Sequence, residues 1–208
     1  MREILIKNPE ILERLAGFTA RFLELDHRNL NIENRDPKID ADYGTSREYL
    51  DHMMKKGHKG FPEAIRGIDI NFSHTSLTED WKKLNHEMSN EFTRELGCQQ
   101  NALCCYYPPE GFIGWHDNHD VPGHTLLFNW SEDGSGFYRY RDCDTGEMVT
   151  IKDKVGWSSK TGTYGDGKEF PRQWHSAKAG CHRWSIAFYI RNLEMLEMIV
   201  EDIECSDG

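Results

Sequence analysis

Short apolar or alternating runs, separated by turn residues, make up most of the chain after Gly97. Runs of this length that end at Gly, Pro, Asp or Asn are typical of strands in an antiparallel sheet. The chain has eight of them, at residues 102–107, 111–116, 125–130, 136–140, 148–151, 156–159, 174–177 and 183–190. Residues 131–136 and 142–146 have the composition of hairpin turns. The pattern therefore predicts a β-sandwich or barrel in this half of the chain.

The first hundred residues have a helical pattern instead. Apolar residues at three- and four-residue spacing predict one helix from about residue 8 to 25 and another from Thr78 to Gly97. A polar stretch at residues 29–42 is expected to be a loop or lid. We therefore expect one α+β domain, with helical support in residues 1–99, a mainly β core in residues 100–192 and a C-terminal tail in residues 193–208.

Charge and composition restrict the location and the partners. The net charge is −10 and the acidic residues are spread along the chain, which disfavours binding to nucleic acid or to an anionic membrane. No apolar run approaches the roughly 20 residues that span a bilayer, and the N-terminus lacks the pattern of a secretory signal. The six cysteines form no CxxC pair. We expect a cytoplasmic protein with reduced thiols, and the sequence does not indicate its oligomeric state.

Two histidines stand where strands could direct them to a metal. His116 ends the second predicted strand, and His175 is in the seventh, which we expect on the opposite side of the barrel. Because residues i and i+2 face the same side of a strand, position 118 should face inward with His116. Iron sites of the 2-His-1-carboxylate type have Asp or Glu there, and this chain has Asn118. By the same rule Arg183 and Ser185 face inward together, an arrangement that suits a carboxylate ligand.

These residues, with Tyr107 and the two prolines that follow it nine residues before His116, resemble the Fe(II)/2-oxoglutarate-dependent dioxygenase superfamily. The AlkB-like and prolyl-hydroxylase-like branches are the most similar, and the chain also resembles the short oxygenases that marine bacteriophages encode. The resemblance covers about residues 100–192. It implies a double-stranded β-helix, that is, a jelly-roll or cupin-like core of eight strands packed against helices.

The resemblance also implies cofactors and residue roles. Fe(II) would be the metal, 2-oxoglutarate the co-substrate and O2 the oxidant. His116 and His175 would bind the iron, Arg183 and Ser185 would hold the C5 carboxylate of 2-oxoglutarate, and Tyr107 would donate a hydrogen bond to that carboxylate.

The third metal position has several candidate ligands. The amide oxygen of Asn118 could be a neutral ligand, or water or a halide could fill the position. Asp120 lies too far along an extended strand unless the chain turns after Asn118, and Asp117 points off the inner face unless the strand has a bulge. We rank Asn118 or an open position above Asp120, and both above Asp117.

The expected activity is hydroxylation of a small molecule or a protein side chain, with release of succinate and CO2. Two alternatives remain. A halogenase would place chloride in the position that Asn118 leaves open, although asparagine is bulkier than the small residue that halogenases have there. A non-catalytic β-helix binding module would have a decayed metal site at Asn118.

Overall fold

The computed structural model describes residues 1–25, 30–71 and 77–206. These residues form eleven strands: β1 (Arg2–Ile4), β2 (Glu33–Asn34), β3 (Ile65–Asp69), β4 (Gln100–Tyr107), β5 (Phe112–His116), β6 (Gly123–Ser131), β7 (Phe137–Arg141), β8 (Met148–Lys152), β9 (Gly156–Tyr164), β10 (His175–Lys178) and β11 (Arg183–Ile190). They also form five helices: α1 (Pro9–Glu24), α2 (Ala41–Gly44), α3 (Arg47–Lys56), α4 (Glu79–Leu96) and α5 (Leu193–Glu204).

The strands from β4 to β11 form a double-stranded β-helix. One antiparallel sheet has the order β1-β9-β6-β11-β4, and the other has the order β5-β10-β7-β8. Strand β3 joins the two sheets, because it pairs with β4 on one side and with β5 on the other. All eight strands that the sequence predicts are present, and the prediction of an α+β fold with a jelly-roll core is confirmed.

The helices α1 and α4 pack on the outer face of the first sheet. Asn8 caps α1, because its side chain accepts a hydrogen bond from the backbone N–H of Glu10 at 3.0 Å. The buried face of α1 ends at Phe22, whose ring stacks on Trp184 of β11 with 4.5 Å between the ring centroids. This packing leaves the opposite face of the sheet directed toward the second sheet, where the cavity lies.

Three segments differ from the sequence prediction. Residues 131–136, predicted as a hairpin turn, instead connect β6 of the first sheet to β7 of the second, and these two strands do not pair. Residues 1–99 contribute the strands β1, β2 and β3 as well as helices. Residues 193–204, predicted as part of a tail, form the helix α5, capped by Asn192, and four of its apolar side chains are buried: Leu196, Ile199, Val200 and Ile203. Of the polar stretch predicted as a loop or lid, residue 29 lies outside the described residues. No helix in the described ranges is long and apolar enough to cross a membrane.

Candidate active site

A cavity of about 660 Å³ lies between the two sheets, and residues from both sheets line it. The lining includes all six residues that the sequence analysis selects: Tyr107, His116, Asn118, His175, Arg183 and Ser185. The strand register therefore brings the predicted metal ligands and the predicted carboxylate-binding residues to one cavity.

The two histidines lie side by side on neighbouring strands. Strands β5 and β10 are antiparallel, and their register pairs His116 with His175. The ring centroids are 4.0 Å apart, and both residues are buried. Our expectation that His175 lies across the barrel is wrong, because β10 pairs directly with β5 in the second sheet although 58 residues separate the two strands in sequence.

Backbone carbonyls hold both imidazoles in one tautomer. Nδ1 of His116 lies 2.8 Å from the carbonyl oxygen of Gly114, and Nδ1 of His175 lies 2.9 Å from that of Gln173. A ring that donates its Nδ1–H to a carbonyl presents the lone pair of Nε2, as metal-binding histidines commonly do. Among the described residues, Nε2 of His116 has no hydrogen-bond partner.

Burial keeps both imidazoles neutral. It lowers the pKa of His175 to about 4. Burial, with a further contribution from the neighbouring His175, also lowers the pKa of His116 well below its usual value. A transition metal binds the neutral imidazole, so the pair is in the binding-competent protonation state at neutral pH without losing protons.

Asn118 reaches the histidine pair from a turn rather than from the strand. Strand β5 ends at His116, and Asn118 has a φ of 50°, in the left-handed region that asparagine tolerates better than most residues. Its Nδ2 lies 3.4 Å from Nε2 of His175. Because a 180° flip of the amide exchanges the nitrogen with Oδ1, the side chain can present an oxygen at the same place.

The two alternative carboxylates lie elsewhere. Asp117 is fully buried and forms an ion pair with Arg172, in which Nε donates to Oδ2 at 2.7 Å. Its Oδ1 accepts from the backbone N–H of Gly60 at 2.8 Å. Asp120 lies against Gly60. In the described residues, no three His, Cys, Asp or Glu side chains gather as a metal site. The donors present therefore fit a divalent transition metal on two imidazoles with a neutral third position.

Arg183 lies in the same cavity, in a network of four hydrogen bonds. Its Nη1 donates to Ser185 Oγ at 2.6 Å, and its Nη2 donates to Asn129 Oδ1 at 3.0 Å. Nε and Nη2 also donate to the two oxygens of Asp153, at 2.7 and 3.4 Å. Burial alone would lower the pKa of Arg183, but the Asp153 carboxylate raises it. The register of β11 and β4 pairs Arg183 with Tyr107, whose ring centroid is 5.6 Å from the guanidinium carbon.

Four residues near the site are not predicted from the sequence. The Tyr138 and Tyr164 hydroxyls are 2.9 Å apart, and the Tyr164 ring centroid is 4.8 Å from that of His175. Asp69 lines the cavity, and burial raises its pKa to about 6. Lys160 is almost fully buried on β9. Lys160 and Tyr164 lie beyond the end of the predicted strand at residue 159, whereas β9 continues to Tyr164.

No family model matches the chain, and no curated protein matches its sequence. Solved structures similar to it include a Pseudomonas putida prolyl-4-hydroxylase (15% identity, 92% of this chain and 92% of that chain, TM-score 0.40). A second is a 2OG-Fe(II) oxygenase family oxidoreductase from Burkholderia pseudomallei (9% identity, 84% of this chain and 89% of that chain, TM-score 0.35). A third is dioxygenase for auxin oxidation 1 from Arabidopsis thaliana, in complex with 2-oxoglutarate (12% identity, 88% of this chain and 79% of that chain, TM-score 0.34). At these identities and TM-scores the likenesses assign no activity to this chain.

Proposed function

We propose that this protein is an Fe(II)- and 2-oxoglutarate-dependent oxygenase that hydroxylates a small molecule or a protein side chain and releases succinate and CO2. The observation that carries the proposal is the pair of buried, neutral imidazoles, whose Nδ1 atoms are both bonded to backbone carbonyls, in a cavity that also contains an arginine. This combination suits a metal next to a carboxylate ligand, and core packing alone does not require it.

His116 and His175 would hold the iron, and Asn118 would be a neutral ligand or leave its position to water or a halide. Bound iron, with 2-oxoglutarate and O2, would supply the oxidising chemistry that the side chains lack. The carbonyls of Gly114 and Gln173 would fix the orientation of the two imidazoles. Because Asn118 carries no charge, iron binding should be weaker than at a site with a carboxylate.

The cavity lining supports a substrate with both apolar and polar parts. Phe61 and Val121 are lining residues that also reach the surface, with 62% and 40% of their area exposed. Asp69, Asn71 and Asn101 supply polar lining. Apolar lining with a few polar groups is the common pattern of small-molecule sites, in which the polar groups orient the ligand.

An anaerobic titration with Fe(II) and 2-oxoglutarate tests the proposal. The weak visible absorption band that arises when a keto acid chelates Fe(II) should appear with the wild-type protein and be lost in His116→Ala and His175→Ala. His124→Ala is the matched control, because His124 is a buried histidine that bonds to Thr163 and does not line the cavity. A folded wild-type protein that shows no band and binds neither ligand would instead support a non-catalytic binding module.

A further inference from the structure

The charge of Arg183 is already balanced inside the protein. Asp153 accepts two of its hydrogen bonds, and the side chains of the pair are 2% and 1% exposed. With the bonds to Ser185 and Asn129, four of the five guanidinium N–H groups have acceptors. A ligand carboxylate that binds to Arg183 would therefore add a negative charge next to Asp153, which a buried site does not tolerate without another cation.

Lys160 is a second buried cation, directed to the inner face of the first sheet but not itself among the residues that line the cavity. The register pairs Lys160 of β9 with Leu127 of β6, and Leu127 with Ala187 of β11, and both of these partners line the cavity. Tyr164, four residues further along β9, also lines the cavity, so Lys160 shares its inward face. The Lys160 ammonium lies 5.2 Å from the centroid of the Tyr138 ring, another lining residue.

Two carboxylates, those of Asp153 and Glu3, raise the pKa of this ammonium from a distance, and neither pairs with it in the described part of the chain. It forms no hydrogen bond and no ion pair there, and its contact is the Tyr138 ring. Burial, and then the nearby Arg183, lower the pKa of Lys160 to about 7, although Asp153 opposes this shift. Lys160, Arg183 and Asp153 carry +1, +1 and −1 when all three are ionised, so the cluster has one positive charge left for a ligand.

We propose that Lys160 supplies the uncompensated positive charge for the distal carboxylate of 2-oxoglutarate, while Arg183 and Ser185 contribute hydrogen bonds. This inference rests on the proposed function. One carboxylate brings the net charge of the Lys160, Arg183 and Asp153 cluster to zero. The four-carbon stem of lysine lets the ammonium move from the Tyr138 ring toward a ligand, whereas the Arg183 fork is held by its four bonds.

A comparison of two keto acids tests this role separately from folding. 2-Oxopentanoate has the keto acid group and the chain length of 2-oxoglutarate but lacks the distal carboxylate. In anaerobic titrations of the Fe(II)-loaded protein, the wild type should prefer 2-oxoglutarate. Lys160→Met should reduce this preference about tenfold or more, the range for hydrogen bonds to charged groups. Lys152→Met is the control, because Lys152 is exposed and removal of its charge should leave the preference unchanged.

A charge rescue completes the test. Asp153→Asn in the Lys160→Met background leaves Arg183 as the uncompensated cation and should restore most of the preference for 2-oxoglutarate. The inference is overturned if Lys160→Met keeps the wild-type preference, if it weakens both keto acids equally, or if the double variant shows no recovery. A wild-type protein that binds neither keto acid would refute the proposed function itself, which is a different result from an unchanged ratio.

Discussion

Replacement of Lys160 by methionine should stabilise the metal-free protein at neutral pH. The residue is 1% exposed, and burial lowers its pKa from 10.5 to about 7. Between these two pH values the unfolded chain holds a proton that the folded chain has lost. The free energy of unfolding of the wild type therefore rises with pH across this window. Since one pKa unit corresponds to about 1.4 kcal/mol, buried Lys160 destabilises the fold by on the order of 4 kcal/mol at pH 7.

Methionine has a similar length and no charge, so Lys160→Met should remove most of this destabilisation. Urea unfolding followed by tryptophan fluorescence at pH 7 and pH 9 measures the effect, with Lys152→Met as the control for loss of a surface charge. The advantage of the variant should shrink by about 1.4 kcal/mol per pH unit above pH 7. A variant less stable than the wild type at pH 7, or an advantage independent of pH, would refute the reasoning.

Three other predictions concern the proposed metal ligands and their support. Asn118→Asp should tighten Fe(II) binding about tenfold, because it restores an anionic ligand, and unchanged affinity in an anaerobic competition assay would show that position 118 does not face the metal. Burial lowers the pKa of His175 to about 4, so Fe(II) affinity should vary little between about pH 6 and 8 and fall below about pH 5. A steep loss of Fe(II) affinity between pH 7 and 6 would show that the imidazole is not neutral in this range. Arg172→Met leaves the buried Asp117 carboxylate without its cation and should lower the free energy of unfolding, measured in urea, by up to about 3 kcal/mol. Adding Asp117→Asn to this variant should recover most of the loss.

The strand pattern could be predicted from the sequence because its signals are local. Apolar runs and turn residues mark β4 to β11, and each observed strand overlaps its predicted run. Strand β3 is different. It has five residues, and its partners β4 and β5 begin more than 30 residues later in the chain. A segment that is a strand only because two distant strands leave a gap between them carries little signal of its own.

The residues of the candidate site could likewise be predicted from the sequence only in part. His116, His175, Arg183 and Ser185 could be selected from the sequence, because their residue types and spacing fit one inward-facing arrangement on strands. The partner of Arg183 was not predictable, because Asp153 is 30 residues away and meets it only through the arrangement of the sheets. The charge balance of the Lys160, Arg183 and Asp153 cluster, on which the proposed role of Lys160 depends, therefore becomes visible only in three dimensions.

The most direct test of the account is an anomalous difference map, measured at the iron edge, from crystals grown anaerobically with Fe(II) and 2-oxoglutarate. The account predicts one peak within bonding distance of Nε2 of both His116 and His175. The distal carboxylate of the co-substrate should lie between the side chains of Lys160 and Arg183. A map with no peak at the two histidines, or with a peak held by other residues, would contradict the central claim.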